Sequence, residues 1–187
     1  MDKRELILSE AEKLFAEKGY YGLGLSELLK RCGIPKGSFY YYFPEGKIQL
    51  IQEVLEYSYR RMCTWIDSWK GEKATAAEAF AYMADHLSNG IREKRRLGTL
   101  MLSMIAIESV YLDEQVNCTC KRIYSSWQAY YARWLEDYGY DPQQSLCLAQ
   151  AVFALIHGSL ISSWIKQDPR DLQLAKEALS MMLAPRE

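Results

Sequence analysis

Apolar residues in this chain recur three and four positions apart almost from end to end, and no alternating run lasts long enough to make a strand. That spacing places them on one face of a helix. Ile7, Ala11, Leu14 and Phe15 form one such stripe, and Gly19 ends the helix that carries it. Leu25, Leu28, Leu29 and Cys32 fall at i, i+3, i+4 and i+7, with Gly33 as the stop a short second helix needs. A third begins near Pro35 and runs through Phe39 to Phe43, where Pro44 ends it. Longer helices are expected over 47–69, 75–94, 98–109, 112–138, 142–166 and 170–183. Asp141-Pro142 and Asp168-Pro169 serve as start signals. The expectation is an all-α protein, with a small three-helix domain over 1–46 and a larger helical domain over 47–187.

Several function classes are disfavoured. No Ser-His-Asp set, carboxylate pair or phosphate loop is visible, and two histidines leave little room for metal catalysis. No catalytic residue, metal or cofactor is therefore expected. The five cysteines (32, 63, 118, 120 and 147) contain no C-x-x-C pair, and Cys118 and Cys120 would face different sides of a helix. That usage fits a reducing cytoplasm rather than a disulfide framework or a zinc site. The acidic start MDKRELILSEAEKLF lacks the apolar core of a secretory signal. Residues 143–165 carry no formal charge over about the length of a membrane span. Gln150, His157, Ser159, Ser162 and Ser163 interrupt that stretch, which favours a helix buried in protein over one in a membrane. His157 reads as a hydrogen-bonded core or interface histidine.

The third helix carries the most specific signal. At 100° per residue Phe39 and Phe43 fall together and must face a core, so Gly37 and Tyr41 point directly away from it. Lys36 and Tyr40 take one flank, Ser38 and Tyr42 the other. That outer face is small, basic, hydroxylated and aromatic, and it has no carboxylate to repel a phosphate backbone. Gly37 lets the helix approach a surface closely. The net charge is −1, but residues 30–47 hold four basic residues against one acid, a local +3. Three short helices with a glycine turn before the third make a helix-turn-helix, and this face suits phosphate, sugar and base contacts.

The stretch from Ile7 to Leu50 resembles the TetR DNA-binding domain: LF-x-x-x-GY, then GIPKGSFYYYFP, then GKIQL. GIPKGSFYYYFPEGK is similar to the drug-responsive LmrA/YxaF-like branch of that family, and FALIHGSLISSWIKQDPRDLQLAKEAL resembles its regulatory domain more loosely. The resemblance implies that Lys36, Gly37, Ser38, Tyr40, Tyr41 and Tyr42 meet DNA and that Lys47 contacts a phosphate. Gly24 stands where a hydroxyl residue is usual, with Ser26 as a partial replacement. Tyr42 stands where His or Arg is common, and Ile48 where an acid is usual.

The expected function is a dimeric, ligand-responsive repressor of transcription that recognises a pseudo-palindromic operator in double-stranded DNA. Trp65, Trp69, Met101, Met104, Glu108, Tyr111, Tyr124, Trp127 and Tyr131 are candidates for a pocket holding a small apolar or aromatic effector. Each aromatic is also plausible as plain core, and Glu108 as a solvated helix end rather than the partner of a cationic ligand. Phe153, Ile156, Leu160, Trp164, Leu172, Leu179 and Met182 are candidates for a homodimer interface on the last two helices. Two alternatives stay open: a thiol-based redox or electrophile sensor on the same fold, and a helical carrier or enzyme that does not bind DNA.

Overall fold

A computed structural model describes residues 2–93 and 98–184. Nine α-helices and one short 3-10 turn occur among the described residues, and no strand. They are α1 (Lys3–Gly22), α2 (Leu25–Cys32), α3 (Lys36–Tyr42), α4 (Lys47–Asp67), α5 (Ala76–Arg92), α6 (Gly98–Ser109), α7 (Glu114–Asp137), α8 (Pro142–Lys166) and α9 (Arg170–Met182). The ends differ from expectation by one or two residues. At 67–72, α4 stops at Asp67 and the 3-10 turn Lys70–Glu72 follows. Lys94, the expected end of the fifth helix, lies outside the described residues.

Two glycines punctuate the first two helices in different ways. Gly33 takes a left-handed conformation, φ 64° and ψ 33°. Its N–H donates to the Lys30 carbonyl, and the Ile34 N–H donates to that of Leu29, the pairing that closes a helix and turns the chain. Gly19 breaks α1 internally, with φ 66° and ψ −174°, where the sequence places a helix end.

The chain packs as two compact units. One comprises the described residues within 1–62 and 96–123, the other those within 63–95 and 124–187. In the first, α1 packs on α2 and α6, and Phe15, Leu28, Phe39, Phe43, Leu50, Ile51 and Leu55 are wholly buried. Residues 98–109, expected to belong with the C-terminal body, thus pack with the N-terminal helices. In the second unit α9 packs on α5 and α8, around Phe80, Leu87, Trp134, Ile156, Leu160, Leu172 and Leu179. Helix α8, uncharged up to its last residue Lys166, is long and apolar enough to cross a membrane. One face of it, through Ala149, Val152, Phe153, Ile156 and Leu160, is buried in this second unit.

Candidate nucleic-acid interface

The recognition face follows from the burial of two rings. Phe39 and Phe43 are fully buried, 5.4 Å apart between ring centres. Their position fixes the rotation of α3 about its axis and turns Tyr41 outward, 81% exposed. Lys36 and Gly37 are exposed, Tyr40 partly so, and Ser38 and Tyr42 are half-buried on the flanks. The Lys36 ammonium lies 5.9 Å from the Tyr40 ring centre, and Tyr41 meets Tyr42 edge-on at 5.1 Å. A Cβ at Gly37 would meet nothing within 4 Å, so this glycine leaves open space in front of the helix. Ser26 is exposed on α2. Gly24 caps that helix with no side-chain acceptor, leaving its first N–H groups without a side-chain partner. Beside it, Arg31 is bound to Glu17 and Glu27, whereas Lys30 and Lys36 are exposed.

Lys47 departs from expectation. It is half-buried, and its ammonium donates to the Leu23 carbonyl at 2.9 Å while lying 4.3 Å from the Tyr20 ring centre. Burial pulls its pKa below the usual lysine value, and the nearby Glu108 carboxylate acts in the opposite sense. These contacts tie the start of α4 to the α1–α2 connection.

The residues expected to line a ligand pocket separate into two groups. Met101, Met104, Glu108 and Tyr111 belong to the first unit; Trp65, Trp69, Tyr124, Trp127 and Tyr131 belong to the second. Tyr111 is 86% exposed. Met101 is buried and Met104 half-buried. Glu108 is half-buried and accepts the Tyr20 N–H at 2.9 Å, so it is more than a solvated helix end. In the second unit the rings pack on one another: Trp69 on Trp134 at 5.8 Å, Trp127 on Tyr131 at 5.5 Å, Tyr131 on Phe80 at 5.3 Å and Tyr124 on Phe153 at 5.1 Å. Trp65 meets His86 at a tilt, 4.1 Å between ring centres. This is the close packing of a core.

Two clefts lie elsewhere. One of about 470 Å³ sits among Thr75, Tyr138, Tyr140, Gln144 and Leu183. A shallow one of about 560 Å³ sits among Gln52, Glu114, Cys118, Thr119 and Arg122. Neither includes any expected pocket residue. Burial pushes the Cys32 and Cys120 thiols up, away from the reactive thiolate, whereas Cys118 and Cys147 are exposed.

Of the expected dimer residues, Phe153, Ile156, Leu160, Leu172 and Leu179 are buried within the protomer, while Trp164 and Met182 are half-buried. The outward side of α8 is a different stripe: Cys147, Ala151, Ala154, Gly158, Ile161 and Ile165. Its spacing alternates four and three residues, so these positions share one face of the helix. A Cβ at Gly158 would meet nothing within 4 Å, and Ile165 is 75% exposed. On α9, Leu174 and Met181 are exposed too. Small residues at 3–4 spacing were the signal for this stripe. His157 lies on the inner side, stacked 3.9 Å from Phe153, and burial lowers its pKa from 6.5 to about 4.

Comparison with known proteins agrees with this architecture. Residues 7–54 match the family described as bacterial regulatory proteins, tetR family. Residues 76–178 match the C-terminal domain of LmrA/YxaF-like transcriptional regulators. The helix-turn-helix-type regulator YxaF of Bacillus subtilis is 27% identical, over 97% of this chain and 95% of that one. LmrA of the same organism, also a helix-turn-helix-type transcriptional regulator, is 31% identical over 87% and 86%. The crystal structure of reduced Escherichia coli NemR shares the fold, with a TM-score of 0.82 at 24% identity over 98% of each chain. These relatives and families are regulators of transcription rather than enzymes. The chain belongs to the TetR family of transcriptional regulators, with an LmrA/YxaF-like C-terminal domain.

Proposed function

We propose that this protein is a cytoplasmic, homodimeric repressor that reads a pseudo-palindromic operator with α3. In this reading residues 1–46 form the DNA-binding domain, and 47–187 the domain for dimerisation and effector binding. The observation that carries it is Tyr41, exposed on the side of α3 opposite two fully buried phenylalanines and flanked by Lys36, Gly37 and Ser38. An aromatic ring held in solvent on a carboxylate-free helix suits apolar and hydroxyl contacts to base edges, and Lys36 suits a phosphate. The N-terminus of α2, without a side-chain cap at Gly24, suits a second phosphate, with Ser26 beside it. A two-fold pair formed through the outward stripes of α8 and α9 would present two recognition helices to two half-sites. Selecting duplexes from a random pool on the purified protein tests this. Recovery of an inverted repeat supports it, and recovery of no preferred sequence refutes it.

Release by a small apolar or aromatic effector is the second part of the proposal. The support is the ring cluster around Trp69, Trp127, Tyr131 and Trp134, since aromatic side chains are what line sites for apolar ligands. The effector must bind the DNA-incompetent form more tightly, so operator must weaken effector binding by the same factor. Titrating a lipophilic dye while following tryptophan fluorescence, with and without operator, tests the coupling; identical curves would refute it.

A further inference from the structure

The C-terminal turn of α6 is a poor place for an acid, since a carboxylate there faces the negative end of the helix dipole. Glu108 occupies that turn, so its role must come from what it touches. Its Oε2 accepts the Tyr20 N–H at 2.9 Å. That N–H has lost its helical partner geometry because α1 is broken at Gly19. A Cβ at Gly19 would stand 2.6 Å from the Glu108 Oε1, so the break and the carboxylate fit against each other with no spare room. On the far side, the Tyr20 ring supports the Lys47 ammonium, which donates to the Leu23 carbonyl one residue before the Gly24 cap of α2. The connection that carries α2, and through the Gly33 turn α3, is thus held from one side by α6 and from the other by the first residue of α4.

We propose that Glu108 is a positioning residue for DNA binding: it latches the α1–α2 connection to α6, and withdrawing it loosens the helix-turn-helix. The hydrogen bond tolerates little displacement, since a donor and acceptor more than about 3.5 Å apart are no longer bonded. A slide of α6 by one or two ångströms therefore opens the latch. This proposal rests on the DNA-binding reading above.

The test uses the full-length protein and a duplex selected on the wild type. Glu108→Ala should lower affinity for that duplex by about tenfold, the order expected for losing a charged partner of a shielded amide. Amide exchange should quicken in residues 19–24. Glu108→Gln, which keeps an acceptor oxygen without the charge, should fall between the two. Wild-type affinity in Glu108→Ala overturns the latch. If that variant does not fold, the wild type alone decides. Operator binding should slow exchange in residues 105–109, which lie on α6 rather than on the recognition helix, and unchanged exchange there overturns the proposal. A wild-type protein that prefers no duplex would instead refute the DNA-binding reading, and the latch would fall with it.

Discussion

The Lys47 ammonium rests 4.3 Å from the centre of the Tyr20 ring, so a cation in the DNA-binding region is spent inside the protein. Together with its hydrogen bond to the Leu23 carbonyl, this makes Lys47 a brace. Lys47→Ala should cost about 1–2 kcal/mol of stability, through a lost cation–π contact and a lost charged hydrogen bond. It should weaken operator binding without changing the slope of log affinity against log salt. A slope reduced by about 1 would show that Lys47 releases a counterion from a phosphate, and the brace would be wrong.

Lys36 is the contrasting case, since it is exposed. Lys36→Ala should weaken binding to all sequences alike and lower the salt slope by about 1, with thermal stability unchanged. Titrations at several salt concentrations check both lysines. Loss of sequence preference with an unaltered slope would instead make Lys36 a base-reading residue.

The two sides of α8 predict opposite kinds of failure. Gly158→Arg projects into open space, so the protomer should stay folded while sedimentation shows monomers and operator affinity falls. Leu160→Asp places a charge at a wholly buried position and should unfold the protomer itself, at a cost of several kcal/mol. A dimeric Gly158→Arg would mean that the outward stripe is not the interface.

His157 gives the fold an acid-side dependence. Its pKa drops from 6.5 to about 4 because burial disfavours the imidazolium. Between those values the unfolded chain takes up a proton that the folded chain does not. Stability therefore falls as pH drops from 6.5 toward 4, by up to about 3 kcal/mol. His157→Leu should remove that part of the loss. Parallel pH profiles of the melting temperature for wild type and variant would show that His157 does not contribute.

The rotation of α3 was legible in the sequence because its inward and outward sides differ in chemistry over eight residues. Phe39 and Phe43 fix the inner side, and Tyr41 follows by rotation. The outward side of α8 was not legible from charge. A helix with no charged residue for more than twenty positions has no polar side to mark solvent, so the burial of its large side chains within the protomer could not be told from the pattern. Small size was the missed mark: Ala151, Ala154 and Gly158 line the exposed stripe. Glu108 was visible as an odd acid after an apolar run, but its partner lies 88 positions away and no local pattern points to it. The Tyr20 ring beneath Lys47 was hidden for a similar reason, because no local pattern joins positions 20 and 47.

The central claim is that α3 reads sequence, and competition binding at physiological salt tests it most directly. The selected inverted repeat is set against a scrambled duplex of equal length and composition. The account predicts a preference on the order of 10³ or more for the repeat. Tyr41→Ala should cut that preference about tenfold while leaving affinity for the scrambled duplex unchanged. Equal wild-type affinity for both duplexes would contradict the account.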